Sequence, residues 1–164
     1  MPIIFSKSCE YGLQATLFIA KKENGTPIHL REISKALHIP HHFLSKILQT
    51  LARHEIVHSH KGQNGGFELG RQASNITLND IVKAIDGEAF LAHCVLGFPE
   101  CSDDRPCPVH AYWKEAKKIV LTMLCERTID DLSQSIDVKL LQPKSLSQRR
   151  TTSPQINNNT STTV

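Results

Sequence analysis

The chain has 164 residues, 40% of them hydrophobic, which is enough for one compact domain with a small core and a few additional elements. The net charge of +3 sits at the end of the chain, where Lys144, Arg149 and Arg150 follow Pro143 without a single acid; the remainder is balanced. No run of eighteen apolar residues occurs, which excludes a helical membrane span, and the opening MPIIFSKSCEYGL has no signal-peptide pattern, so a cytoplasmic protein with reduced thiols is expected.

The spacing of Tyr11, Ala15 and Phe18, widened by Leu13, Leu17 and Ala20, predicts a helix over 6–22. Asn24-Gly25-Thr26-Pro27 breaks it. A short helix follows over 30–37, with Leu30, Ile33 and Leu37 inward. His38-Ile39-Pro40 stops it, and Pro40 suits the first turn of the next helix. That helix runs to about His54, burying Leu44, Ile47, Leu48 and Leu51 and leaving His41, His42, Ser45, Lys46 and Gln49 on its outer face. Two short helices joined by a tight turn, the second polar outside, form a helix-turn-helix pattern whose outer face offers contacts to DNA.

Residues 56–60 and 67–69 flank a glycine-rich turn and predict a β-hairpin, the wing of a winged helix-turn-helix. Lys61 at its base suits a phosphate backbone. Charge supports the same division. Residues 29–61 hold five Lys or Arg, seven His and two acids, whereas residues 77–110 hold six acids and two bases. Thr77 and Asp80 match a capping box for a helix that buries Leu78, Ile81, Val82 and Ile85 and ends at Gly87 in a left-handed turn.

The next segment, CVLGFPECSDDRPCPVH, places Cys94, Cys101, Cys107 and His110 within seventeen residues. Three prolines and a run of acids make it a loop, and core packing has no use for cysteines there. Thiolates and imidazole are soft-to-borderline metal ligands that a loop can wrap around one centre. With five cysteines in all, a simple disulfide framework is disfavoured, and Cys9 and Cys125, in helical stretches, read as small core residues. After the loop, His110 to about Arg127 predicts a longer helix carrying Trp113, Ala116, Val120 and Met123, with Ile119 and Leu124 beside them. Little of the chain is left to cover this stripe, so the same helix of a second subunit is the expected cover, giving a homodimer. Thr128 to Leu132 starts a short capped helix, and the polar chain from Pro143 on is expected to be disordered.

The expected fold is therefore mostly α with a small β-hairpin wing: a winged helix-turn-helix DNA-binding domain over 1–87, a cysteine-rich loop over 88–110, a dimerisation helix and C-terminal helix over 111–142, and a tail over 143–164. No CxxC, phosphate loop or dinucleotide fingerprint points to an enzyme.

Taken together, SCEYGLQATLFIA, LREISKALHIPHHFLSKILQTL, HKGQNGGFELG, ITLNDIVKAIDG and CPVHAYW resemble the IscR/NsrR family of bacterial iron–sulfur transcription regulators, over about residues 1–135. The resemblance implies a dimeric regulator of a double-stranded DNA operator, with a 2Fe–2S or 4Fe–4S cluster on Cys94, Cys101 and Cys107. For the fourth ligand it implies His110, as in IscR-like members, or Glu10 from the partner subunit, as in NsrR-like members. Nitric oxide, redox or iron–sulfur status would be the signal. The chain departs from the family in the six residues between Cys94 and Cys101, where five is commoner, and in Lys61, where arginine is frequent. A zinc-binding or thiol-redox regulator of the same fold would use the same residues.

Overall fold

A computed structural model describes residues 4–22, 26–62, 65–87, 91, 93–137 and 141. The fold is a mostly α winged helix-turn-helix with one two-stranded hairpin and a long helix near its end. The order is α1 (Lys7–Lys21), α2 (Leu30–Leu37), α3 (His41–Arg53), β1 (Val57–His60), β2 (Gly66–Leu69), a 3-10 turn (Ala73–Asn75), α4 (Leu78–Asp86), α5 (His110–Glu126) and α6 (Ile129–Ser135).

α1 is the central element. Its N-terminus is capped by Ser6, whose Oγ accepts the Cys9 N–H at 3.1 Å. Cys9, Gly12, Ala15, Thr16, Leu17, Phe18 and Ile19 are all buried, which is more than one helix face. The Thr16 hydroxyl is satisfied by the Gly12 carbonyl at 2.9 Å. α3 lies across α1, with the rings of Tyr11 and Phe43 edge to face at 5.8 Å.

α2 ends on His38 in the left-handed region (φ 54°), and the Ile39 N–H returns to the Ser34 carbonyl at 3.1 Å. Pro40 is not in the first turn of α3 as expected but is its cap residue, extended at ψ 130°. Its carbonyl accepts the Phe43 and Leu44 N–H groups, each at 3.0 Å. The hairpin pairs Val57 with Leu69 and His60 with Gly66 in antiparallel register. Ile28 and Phe67 exchange backbone hydrogen bonds at 2.8 and 2.9 Å, so the segment before α2 is tied to the hairpin.

The capping box of α4 is present, with the Asp80 N–H to Thr77 Oγ1 at 3.2 Å and the Thr77 N–H to Asp80 Oδ2 at 2.9 Å. Gly87 does close α4 at positive φ, but at ψ 174° it is extended and not in the left-handed helical region expected. That conformation is open almost only to glycine. The start of α4 is clipped to the end of α5. The Leu78 N–H bonds the Arg127 carbonyl at 3.0 Å, and the Ile129 N–H bonds the Ile76 carbonyl at 2.8 Å. α6 then returns to α1, and Ile129 joins the main core.

Two sequence expectations about α5 need correction. Cys125 is exposed, because it lies on the side of α5 that faces away from α4, whereas Cys9 is buried as expected. The apolar stripe is also two stripes. Leu124 is fully buried with Cys9 and Val82, and Val120 packs beside them, so this part is covered within the chain. Tyr112, Ile119 and Met123 point elsewhere and stay exposed. The tail from Pro143 lies outside the described residues.

Candidate metal centre and DNA-facing surface

The loop between α4 and α5 brings its cysteines together. The Sγ atoms of Cys94, Cys101 and Cys107 lie within 4.8 Å of one another, and all three residues are half-buried. Cys94 and Cys107 are 3.7 Å apart, sulfur to sulfur. Two thiolates on one tetrahedral metal, each about 2.3 Å from it, stand about 3.8 Å apart. Cys101 Sγ is 3.2 Å from His110 Nδ1. The four residues expected at this site thus meet, and the donor set fits a metal or iron–sulfur group. Glu10, the alternative ligand expected from a second subunit, is ion-paired with Lys7 in the first turn of its own α1.

Local geometry makes the thiols unequal. Burial raises the Cys94 thiol, but the backbone N–H groups of Phe98 and Leu96 and the Cys107 and Cys101 thiols outweigh it and bring it below the ordinary value. At Cys101 a backbone hydrogen bond from Cys107 lowers the thiol, yet burial and the neighbouring Cys107 and Cys94 leave it raised. Of these two thiols, Cys94 is the readier to become a thiolate.

Sequence reasoning missed two residues here. Asp103 Oδ1 lies 2.9 Å from His110 Nε2, and Lys114 Nζ lies 2.9 Å from both carboxylate oxygens of Asp103. Hydrogen bonds from Lys114 and then His110 hold the Asp103 carboxyl below its usual range. Seven positions separate Asp103 from His110. Asp103 lies on the loop outside α5, where no helical or strand period applies, so only the folded loop could reveal the pair. Beside the site, Val95, Leu96 and Phe98 are exposed, and a cleft of about 450 Å³ runs along Phe98, Pro99, Arg105, Pro106 and Pro108.

The DNA candidates lie on α3 and the hairpin. His41, His42, Lys46, Gln49 and Lys61 are exposed, and Ser45 is half-buried, accepting a hydrogen bond from Gln49 Nε2 at 3.4 Å. His29, Arg31 and His60 were not singled out from the sequence. They line a hollow of about 290 Å³ with His41, between the starts of α2 and α3 and the hairpin. His29 and His60 lie far apart along the chain, and no local pattern links them.

The Rrf2 family, described as an iron-dependent transcriptional regulator, matches residues 5–135. The chain is 34% identical over 145 residues to a provisionally named HTH-type transcriptional regulator of Aquifex aeolicus (strain VF5), covering 87% of this chain and 99% of that one. It is 27% identical over 159 residues to the HTH-type transcriptional regulator IscR of Vibrio atlanticus (strain LGP32), covering 94% and 88%. Among solved structures it is similar to CymR, the global cysteine regulator of B. subtilis, with a TM-score of 0.69 and 26% identity over 81% of this chain and 98% of that one. These relatives are transcription regulators and not enzymes.

Proposed function

Because this chain belongs to the Rrf2 family of transcriptional regulators, we propose that it binds operator DNA as a homodimer under the control of an iron–sulfur cluster held by Cys94, Cys101, Cys107 and His110. The observation that carries this reading is the meeting of three thiols within 4.8 Å, with an imidazole nitrogen 3.2 Å from one of them. The donors also fall into two pairs, Cys94 with Cys107 and Cys101 with His110. That division suits a two-iron centre, in which each iron takes two protein ligands. When bound, such a group supplies a site that nitric oxide, oxidants or iron loss can destroy.

The chain's own part is to couple that loop to DNA geometry. The loop leads from the end of α4 into the start of α5, while the far end of α5 is clipped to the base of α4 by the Leu78–Arg127 hydrogen bond. The loop-proximal end of α5 is therefore the freer end, and a change in loop conformation tilts α5. In a homodimer joined through the exposed stripe of α5, this tilt alters the spacing of the two winged helices. Operator half-sites lie about 34 Å or a multiple apart, so a small rotation changes affinity strongly. His41, His42, Ser45, Lys46 and Gln49 on α3 and Lys61 in the hairpin make the base and phosphate contacts in this reading. The division of labour is a DNA-binding unit over 1–87, a sensing loop over 88–110 and a dimer-forming region over 111–142, in the cytoplasm.

The test is purification without oxygen. Coloured protein with iron and acid-labile sulfide, and operator binding that changes after nitric oxide exposure, is the expected result. Colourless, iron-free protein whose DNA binding is the same with Cys94, Cys101 and Cys107 all changed to serine refutes it. Zinc in that colourless protein would favour a zinc regulator, which the same tetrahedral donor set suits. A Cys94–Cys107 disulfide formed in air would favour a thiol-redox regulator, given the 3.7 Å between the sulfurs.

A further inference from the structure

We propose that Asp103 is the positioning residue of this centre: it holds the His110 proton on Nε2 and so presents Nδ1, with its lone pair free, to the cysteines. The use of that lone pair rests on the reading of the loop as a metal centre; the tautomer does not. An ionised carboxylate can only accept hydrogen bonds. The 2.9 Å contact between Asp103 Oδ1 and His110 Nε2 therefore requires Nε2 to be the donor. A neutral imidazole has one proton, so Nδ1 carries none, and Nδ1 is the nitrogen that faces Cys101 Sγ at 3.2 Å. A histidine that ligates a metal commonly gives its other N–H to a carboxylate, which fixes both ring orientation and basicity.

Lys114 completes the arrangement. Its ammonium lies 2.9 Å from both oxygens of Asp103, so the carboxylate cannot swing away from the ring without breaking two charge-assisted hydrogen bonds. Lys114 follows His110 by four residues, on the same side of α5. Asp103 thus spans from the loop to two successive turns of one helix. Asp104, the next residue, carries the same charge but is exposed and makes no hydrogen bond or ion pair among the described residues. It is the natural control.

The first experiment follows the imidazole of His110 in the metal-free full-length protein, by long-range proton–nitrogen correlation with labelled histidine at about pH 8. The wild type is expected to show the Nε2–H tautomer, Asp103→Ala a mixture, and Asp104→Ala the wild-type pattern. A wild-type Nδ1–H tautomer overturns the proposal without any variant having to fold. The second titrates zinc into the reduced, metal-free protein against a chromophoric chelator. Asp103→Ala is expected to weaken zinc by about 10- to 100-fold, the usual effect of removing such a partner, and Asp104→Ala to leave it unchanged. Equal zinc affinity in all three proteins overturns the positioning role. These readouts separate the two claims. Tautomer and zinc results as expected, in a protein that never holds iron, would refute the iron–sulfur reading alone. A normal cluster in Asp103→Ala, with the same nitrogen coupling in pulsed EPR, would refute the role of Asp103 alone.

Discussion

Cys9 and Cys125 carry the same thiol in opposite surroundings, and their chemistry should diverge. Cys9 has no exposed surface. Its thiol is pushed up to about 12, first by burial and then by the negative charges of Asp86 and Glu10. From about pH 9 upward the unfolded chain loses this proton while the native chain keeps it up to about 12. Native stability from this residue is thus fully present below about pH 9 and is lost as pH rises through that window, at up to about 1.4 kcal/mol per pH unit. Urea unfolding under reducing conditions at about pH 8 and pH 10 should show a smaller loss for Cys9→Ala than for the wild type; equal losses would show that Cys9 ionises freely in the native state. Native iodoacetamide should alkylate Cys125 and spare Cys9. At this level the sequence was informative about which donors meet in the loop and silent about the side chains that hold them. Cys94, Cys101, Cys107 and His110 could be picked out because their residue types are out of place on a polar proline-rich loop. Asp103 and Lys114 could not, since acids and lysines are ordinary on surfaces and only the folded loop brings them to the imidazole. Cys125 was misread because burial is the common state of a free cysteine, and only packing shows which side of α5 it occupies.

The hairpin depends on close backbone approach as much as on its own pairing. A Cβ added to Gly66 would stand 2.5 Å from the Ile28 carbonyl oxygen, which is backbone and cannot rotate away. The same Ile28 carbonyl accepts the Phe67 N–H at 2.9 Å. Gly66→Ala should therefore push the hairpin off the segment before α2. A stability loss of about 1–3 kcal/mol is expected from the overlap. Weaker operator binding should accompany it, because the turn end of the hairpin borders the hollow lined by His29, Arg31 and His41. Denaturant unfolding and a DNA titration together check this, and a variant as stable and as tightly bound as the wild type would mean that the contact is readily relaxed. Element positions were largely readable from local signals. Ser6, Thr77 and Thr128 cap helices, Gly62 and Gly65 lie between the two strands, and apolar residues recur at three and four along α3, whereas Asn24-Gly25 lies outside the described residues. What local signals could not resolve was α5. Periodicity identifies apolar positions but not their partner, so Leu124, covered by Cys9 and Val82, and Ile119, left exposed among the described residues, looked alike.

The whole molecule is asymmetric in charge and in apolar surface, and the two asymmetries bear on one event. The histidine- and lysine-bearing face of α3 and the hairpin meets DNA in the proposed function, while the acid-rich stretch of residues 77–110 lies elsewhere along the fold. On α5, Tyr112 is 80% exposed, Ile119 70% and Met123 45%. These positions recur at seven and four residues, so they form one stripe, separate from the side of α5 that meets α4 and α1. A second copy of α5 is the cover that its length and pattern suit, because a two-fold axis lets one apolar stripe bury itself against its own image. Ile119→Asp places a charge in the middle of that seam without touching Leu124, Val120 or the cysteines. The expected outcome is a folded monomer by sedimentation, with helical content unchanged and the cysteine loop intact. Operator affinity should fall steeply, and the slope of log affinity against log salt should drop to about half, since one winged helix neutralises half the phosphates that two do. If Ile119→Asp sediments as a dimer and keeps the wild-type salt slope, α5 is not the seam. The tilt of α5 could then no longer carry a change at the cysteine loop to the DNA, even if the loop holds its metal.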